Sequence, residues 1–311
     1  MSVDRANLVG AGAPKVTFNG ATFWTRDDVV ATIGHNLVDQ RSTMFGRVTR
    51  TKSGRKIETQ LPIYGLWRDL SVLFPSAIVN PTIGARLFTG ADLPMVLHAK
   101  NQDRLTLHNT RITGLANLRL AANAQIFSGA VTFTSLLKNN ADPADAASYF
   151  TYDTAAYVEG DFALSTAITR AWSGAWGART GFTAMQTEAG WEVNWELRLE
   201  DDQVDGLGPV DMFIQEFSGS ARCVPVGPTL AQVQTNLFYQ GDAKAAVGAG
   251  LHESVDDLVI TSGTASLTLK NAGLVSAEVR WSPSAKRMGT CVWETTRGFT
   301  AGAPQATAVV A

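Results

Sequence analysis

The stretch Trp191-Glu-Val-Asn-Trp-Glu-Leu-Arg-Leu-Glu200 alternates apolar and polar residues without a slip. A period of two puts Trp191, Val193, Trp195, Leu197 and Leu199 on one side of a strand and Glu192, Glu196 and Glu200 on the other, so one face is buried. Working outward, similar alternating or β-branched runs occur at residues 16–18, 105–107, 130–134, 258–261, 267–269 and 291–295,. Helical spacing is confined to Leu230–Phe238, where Thr229 is placed to cap, to residues 66–74, which Pro75 stops, and to a short helix opened by Asp142-Pro143,. The chain reads as mainly β.

A length of 311 residues is about twice a typical domain of ~150 residues, enough for two cores or one large β structure,. Lys and Arg total 26 against 28 Asp and Glu, a balance that excludes a strongly basic nucleic-acid binder and an acidic tail protein,. Charged residues make up only 17% of the chain, well below the ~25% usual for soluble domains,. A surface largely covered by copies of the same chain needs fewer charges, so the deficit points to assembly. Residues 1–14 contain no apolar run of signal-peptide length, and residues 71–85 are interrupted by Pro75 and Pro81, so neither export nor a membrane span is expected,. Cys223 and Cys291 are too few and too far apart for a disulfide framework or a metal knuckle, and read as packed thiols,.

Several elements recur in the same order. Val16-Thr17 through Trp24 aligns with Ile168-Thr169 through Trp176, and Thr51, Gly54, Ile57 and Leu61 align with Thr187, Gly190, Val193 and Leu197. Leu73-Phe74 aligns with Leu237-Phe238, Leu105-Thr-Leu-His-Asn109 with Leu267-Thr-Leu-Lys-Asn271, and Gly129-Ala-Val-Thr-Phe133 with Gly289-Thr-Cys-Val-Trp293. Ordered anchors of this kind predict an internal duplication. The expected organisation is an arm over 1–14, a β domain over 15–138, a linker with a short helix over 139–160, a second β domain over 161–297 and a tail over 298–311. Residues 1–150 hold 16 basic and 10 acidic side chains, whereas 151–311 hold 10 basic and 18 acidic. Much of that asymmetry lies around Gly54 and Gly190, each read as lying near a hairpin tip. Arg47, Arg50, Lys52, Arg55 and Lys56 stand against Glu188, Asp201, Asp202 and Asp205 as candidate subunit or ring contacts, with Glu192, Glu196 and Glu200 assigned to an interface or a lumen,.

No zinc-protease helix, nucleophile elbow or phosphate-cradling loop occurs, and His35, His98, His108 and His252 lie far apart, so neither a catalytic site nor a bound cofactor is expected,. The pair Asp256-Asp257 and the cluster Glu200, Asp201 and Asp202 suit calcium or glycoside hydrolysis as well as turn charge,. Trp172, Trp176, Trp191 and Trp195 suit a sugar platform as well as a core,.

A short leading strand, a Gly-containing hairpin, a helix ending Leu-Phe, Leu-Thr-Leu-x-Asn and a Gly-containing closing strand together resemble the major tail tube protein of long-tailed bacteriophages. The run Phe127-Ser-Gly-Ala-Val-Thr-Phe-Thr-Ser-Leu136 followed by Asp142-Pro143 is especially similar to that family. The resemblance covers most of residues 15–297. It implies two β-sandwich or partly closed barrel domains with flanking helices, and homotrimeric rings stacked into the virion's tail tube after assembly in the host cytoplasm. It also implies other tail proteins as partners and DNA sliding through without sequence-specific binding. A decoration or baseplate protein, or a carbohydrate-binding or hydrolytic β-sandwich, fits the same composition.

Overall fold

The computed structural model describes residues 14–23, 25, 28–44, 46–62, 84–114, 117–121, 124–128, 130–139, 141–158, 172–204, 207–238, 256–263, 265–281, 286–295 and 306–309. The protein is mainly β, with curled sheets that form a half-barrel. In the N-terminal part the strands are β1 (Lys15–Phe18), β2 (Ala21–Phe23), β3 (Val30–Ser42), β4 (Gly46–Leu61), β5 (Met95–His98), β6 (Asp103–Leu107), β7 (Thr110–Gly114), β8 (Asn117–Ala121), β9 (Ala124–Ser128), β10 (Val131–Ser135) and β11 (Phe150–Thr154). The C-terminal part contains β12 (Ser173–Trp176), β13 (Gln186–Val204), β14 (Gly208–Val226), α1 (Leu230–Phe238), β15 (Asp256–Ser262), β16 (Ala265–Trp281), β17 (Lys286–Thr295) and β18 (Ala306–Val309).

Three antiparallel sheets result. One has the order β11-β6-β5-β1-β2 and a second β3-β4-β10-β7. The third runs β12-β15-β16-β17-β14-β13-β8-β9, with β18 added to β16. The alternation over 191–200 is realised in β13, where Trp191, Val193 and Trp195 are buried. Their inward faces join one large core that draws on both parts of the chain, from Val16, Phe18 and Phe133 to Trp176, Trp293 and Leu269.

Two asparagines let strands change direction. Asn109 and Asn271 adopt left-handed φ values of 42° and 50°, a conformation that asparagine tolerates better than most residues,. Asp92 Oδ1 accepts the Asn109 N–H, and Asp257 Oδ1 accepts the Asn271 N–H at 3.2 Å. The preceding basic side chain meets the same carboxylate, with His108 Nδ1 3.3 Å from Asp92 and Lys270 Nζ 2.5 Å from Asp257. Each reversal is thus held by one carboxylate.

Several expectations are corrected. Gly54 lies inside β4 opposite Asn36, while the β3–β4 pairing runs out to Ser42 opposite Gly46. Gly190 lies inside β13, whose pairing with β14 runs out to Val204 opposite Gly208. The glycines mark irregularities within strands rather than tips: the register shifts beside both, and Gly190 has φ +89°,. Because Gly54 is on the second strand of its hairpin and Gly190 on the first, they are not counterparts. Asp142-Pro143 opens a turn, not a helix; Asp142 accepts from the Ala144 N–H, and a single 3-10 turn (Ala146–Ser148) follows, capped by Asp145. The linker carries β11, which pairs with β6 because residues 149–152 are aromatic and β-branched, and the tail carries β18,. Thr229 caps α1 as expected, in a reciprocal box with Gln232,. Trp24, Ile168-Thr169 and the 66–74 helix lie outside the described residues. Among those described, no helix is long and apolar enough to cross a membrane.

Cys223 and Cys291 face each other across β14 and β17 as free, buried thiols. Burial raises the Cys223 pKa, and burial with nearby Glu278 pushes that of Cys291 up to about 12. Their stabilising contribution is therefore complete below the free thiol pKa of ~8.5 and is lost as pH rises toward those raised values. Thiol titration of the native protein at pH 8 should give no reaction, and both thiols should react once denaturant unfolds the chain. Gly190→Ala should destabilise the protein by roughly 2–4 kcal/mol in urea titration, since it combines a left-handed backbone with overpacking. Its Cβ would come within 2.3 Å of the Leu120 carbonyl oxygen.

Candidate assembly surfaces

The most informative site is a junction where strands from the two parts of the chain pair. The hairpin β8–β9 leaves its own part and docks on the edge of β13, with Leu120, Arg119 and Leu118 opposite Trp191, Glu192 and Val193. Leu118 and Leu120 are buried in the common core, so the alternation Asn-Leu-Arg-Leu-Ala sets which face points in,. On the other face Glu192 stands in register between Arg119 and Arg222. Glu192 Oε2 accepts from Arg222 Nε at 2.9 Å and Nη2 at 2.6 Å. The bulge at Gly190 lets the Leu120–Ala121 backbone approach closely.

A second junction lies lower on the same hairpin. Residues 84–87 add to β14 through Gly84 N–H to Ile214 O, Ile214 N–H to Ala85 O and Leu87 N–H to Met212 O, at 2.8 to 3.0 Å. Leu87, Phe88, Leu136, Met212 and Ile214 form a small separate core beneath it. Buried Asp211 accepts from the Phe88 N–H at 2.9 Å and from the Met212 N–H at 2.7 Å. Arg111 donates to the carbonyls of Leu87, Thr110 and Ala91. Burial lowers its pKa, against the opposing pull of Asp92 and Asp211.

The charges singled out in the sequence fall into three groups. Lys56 Nζ lies 3.0 Å from Glu58 and 3.8 Å from Asp201, and Arg86 Nη2 lies 3.1 Å from Asp202. The basic N-terminal part therefore meets the acidic C-terminal part within one chain. Arg55 sits over the Tyr149 ring, while Arg47 and Glu188 are exposed. Arg50 and Lys52 are on β4, opposite Asp39 and Leu37, and Asp205 lies outside the described residues. The third group lines the solvent face of β13, where Glu196 and Glu200 are exposed and Glu200 accepts from Gln215. Beside Glu196 a depression bordered by Asn194, Ser218, Ser220, Glu294 and Thr295 continues this polar face onto β14 and β17. Arg86, Arg119 and Arg222 were missed by sequence reasoning. The alternation at 117–121 was a signal for Arg119, but nothing local marks Arg86 or Arg222 as partners of Asp202 and Glu192.

The residues proposed for other chemistry have structural partners. Trp172, Trp176, Trp191 and Trp195 are buried, so they offer no platform to a sugar,. Asp256 pairs with Arg179 at 3.1 Å and Asp257 with Lys270, which turns these neighbouring carboxylates toward separate cations. No protein-family model matches the chain, and no curated protein matches it.

Exposed cross-strand charge pairs contribute about 0–1 kcal/mol. Arg119→Glu should accordingly lower stability in urea titration by up to about 1 kcal/mol, and Arg119→Gln, which removes the charge without reversing it, should lower it by less.

Proposed function

We propose that this chain is a structural virion protein, a subunit of a phage tail tube, built from two related β units and assembling as three chains per ring. Rings with six β units stack into a hollow conduit for the genome, and the chain has no catalytic role. The reading rests on the resemblance of its sequence elements to tail tube proteins and, above all, on one structural recurrence.

The recurrence is in strand pairing. Val16 and Phe18 pair with Leu97 and Met95, which pair with Leu105 and Leu107. Gly174 and Trp176 pair with Ile260 and Leu258, which pair with Leu267 and Leu269. After each left-handed asparagine, Ile112 pairs with Phe133 and Leu274 with Trp293. Phe133 then pairs with Thr59 and Thr59 with Ala31, as Trp293 pairs with Ala221 and Ala221 with Val193. Even the added strands correspond, since Phe150 pairs with Leu107 and Ala306 with Leu269. Phe18 meets Phe133 edge-on at 5.2 Å and 73°, and Trp176 meets Trp293 edge-on at 6.2 Å and 73°. This order supports a duplication through Val16–Gly174 and Phe18–Trp176 in place of the Val16–Ile168 and Gly54–Gly190 alignments.

Physical chemistry supports a conduit. The polar face that β13 and β14 share with neighbouring β8 and β17 carries Glu192, Glu196, Glu200, Glu216 and Glu294 against Arg119, Arg198 and Arg222, an acidic excess. Such a wall avoids the counterion-release attraction by which basic surfaces hold phosphates, so DNA slides. Sedimentation and negative-stain microscopy of the purified protein test the proposal. Rings of three chains and hollow filaments are expected. Closed particles that never elongate favour a decoration or baseplate role instead, and a persistent monomer rejects assembly altogether.

A further inference from the structure

The β8–β9 hairpin has a counterpart that, among the described residues, pairs with nothing on its outer side. In the correspondence above, Ile112 matches Leu274 and Phe133 matches Trp293, so the strands that follow β7 and precede β10 match the far ends of β16 and β17. The internal register agrees. Leu118 pairs with Phe127 and Arg119 with Ile126, while Arg280 pairs with Arg287 and Trp281 with Lys286. In the N-terminal part this hairpin end reaches out and covers the edge of β13. In the C-terminal part, among the described residues, the outer side of β16 over 277–281 has no strand beside it.

The edge equivalent to that of β13 is also without a neighbouring strand among the described residues. Thr59 pairs with Ala31 as Ala221 pairs with Val193, so the positions matching Glu192 and Val193 are Val30 and Ala31 on β3. Strand β3 ends its sheet, in the order β3-β4-β10-β7, and its outer side pairs with no described strand. Val30 and Ile33 are 52% and 49% exposed there. An open edge with exposed apolar side chains is a template for strand addition unless something covers it.

We propose that the end of β16 in one copy of this chain pairs antiparallel with β3 of the next copy, repeating between chains the β8–β13 pairing made within each chain. The occupant is a second copy because the chain already contains both halves of the contact, one used within the chain and one that no described strand fills. The intrachain register sets Arg280 opposite Ala31 and Trp281 opposite Val30. Glu192 and Arg119 stand opposite each other at the internal junction, whereas Val30 and Trp281 would be an aliphatic and aromatic pair at the external one, so the two junctions discourage exchange,. Such contacts are head-to-tail and close into a ring only if the rotation is right. The inference rests on the duplicated tube reading and gives that reading its interface.

The test is cysteine cross-linking of the full chain carrying Ala31→Cys and Arg280→Cys, with each single variant as a control. Directly opposed antiparallel residues have Cα atoms ~4.5 to 5.5 Å apart, within disulfide range. Mild oxidation of the assembled protein should give covalent species of two and three chains only from the double variant, with peptide mapping locating the 31–280 bond. The pair Val30→Cys with Trp281→Cys covers a one-residue slip. Proline placed singly at Val30 and Ala31 removes an outward N–H in one of the two cases, and that variant should fold by circular dichroism yet assemble at least tenfold more slowly. Micrographs showing rings or tubes in which neither pair cross-links, or in which neither proline slows assembly, overturn the strand pairing and leave the tube reading standing. A wild-type chain that stays monomeric at every concentration overturns both.

Discussion

A β run that must exchange one set of neighbouring strands for another needs a residue at which its backbone can bend. Asn109 and Asn271 supply that bend, and everything on either side depends on it. Up to Leu107 the chain pairs with β5 and β11; from Thr110 it pairs with β10. The same happens within β16, which pairs with β15 and β18 before Asn271 and mainly with β17 after it. A left-handed residue inside a β run costs of order 1–3 kcal/mol unless its surroundings hold it. Asp92 and Asp257 hold both, and Lys270 in turn pairs with Asp257.

Local periodicity made much of this architecture legible. The alternation of Trp191 to Glu200 marked β13, and Leu-Thr-Leu-x-Asn marked both bent strands because leucine alternation and an asparagine are local signals,. Gly54 and Gly190 misled because glycine serves both turns and bulges, while Asp205-Gly206 passed as interface charge although that dipeptide is a strong hairpin signal,. The candidate site was less legible. Glu192 could be placed on a polar face, but its position between Arg119 and Arg222 depends on strands separated by tens of residues in sequence. Non-local pairing of this kind leaves no periodic trace.

The charge asymmetry also acquires a different meaning. Lys56 near Asp201 and Arg86 on Asp202 show that part of the opposite charge is used inside one chain, where it aligns the two parts. Partly exposed pairs contribute little energy but discriminate well against wrong registers. The heavier work falls to apolar side chains such as Leu118, Leu120, Leu87 and Met212, which are buried at the two junctions. Charge selects the fit, and burial holds it.

The aromatic cores are unequal as well. Where the N-terminal part sets Phe18 edge-on against Phe133, the C-terminal part sets Trp176 edge-on against Trp293, and Trp172, Trp191 and Trp195 are buried in the same core. Six of the eight tryptophans lie between residues 172 and 293. Intrinsic fluorescence therefore gives the molecule an optical bias: indole emission reports chiefly on the C-terminal core, while circular dichroism sums the strands of both. Any gap between those two signals during unfolding measures how independently the two parts of the chain let go.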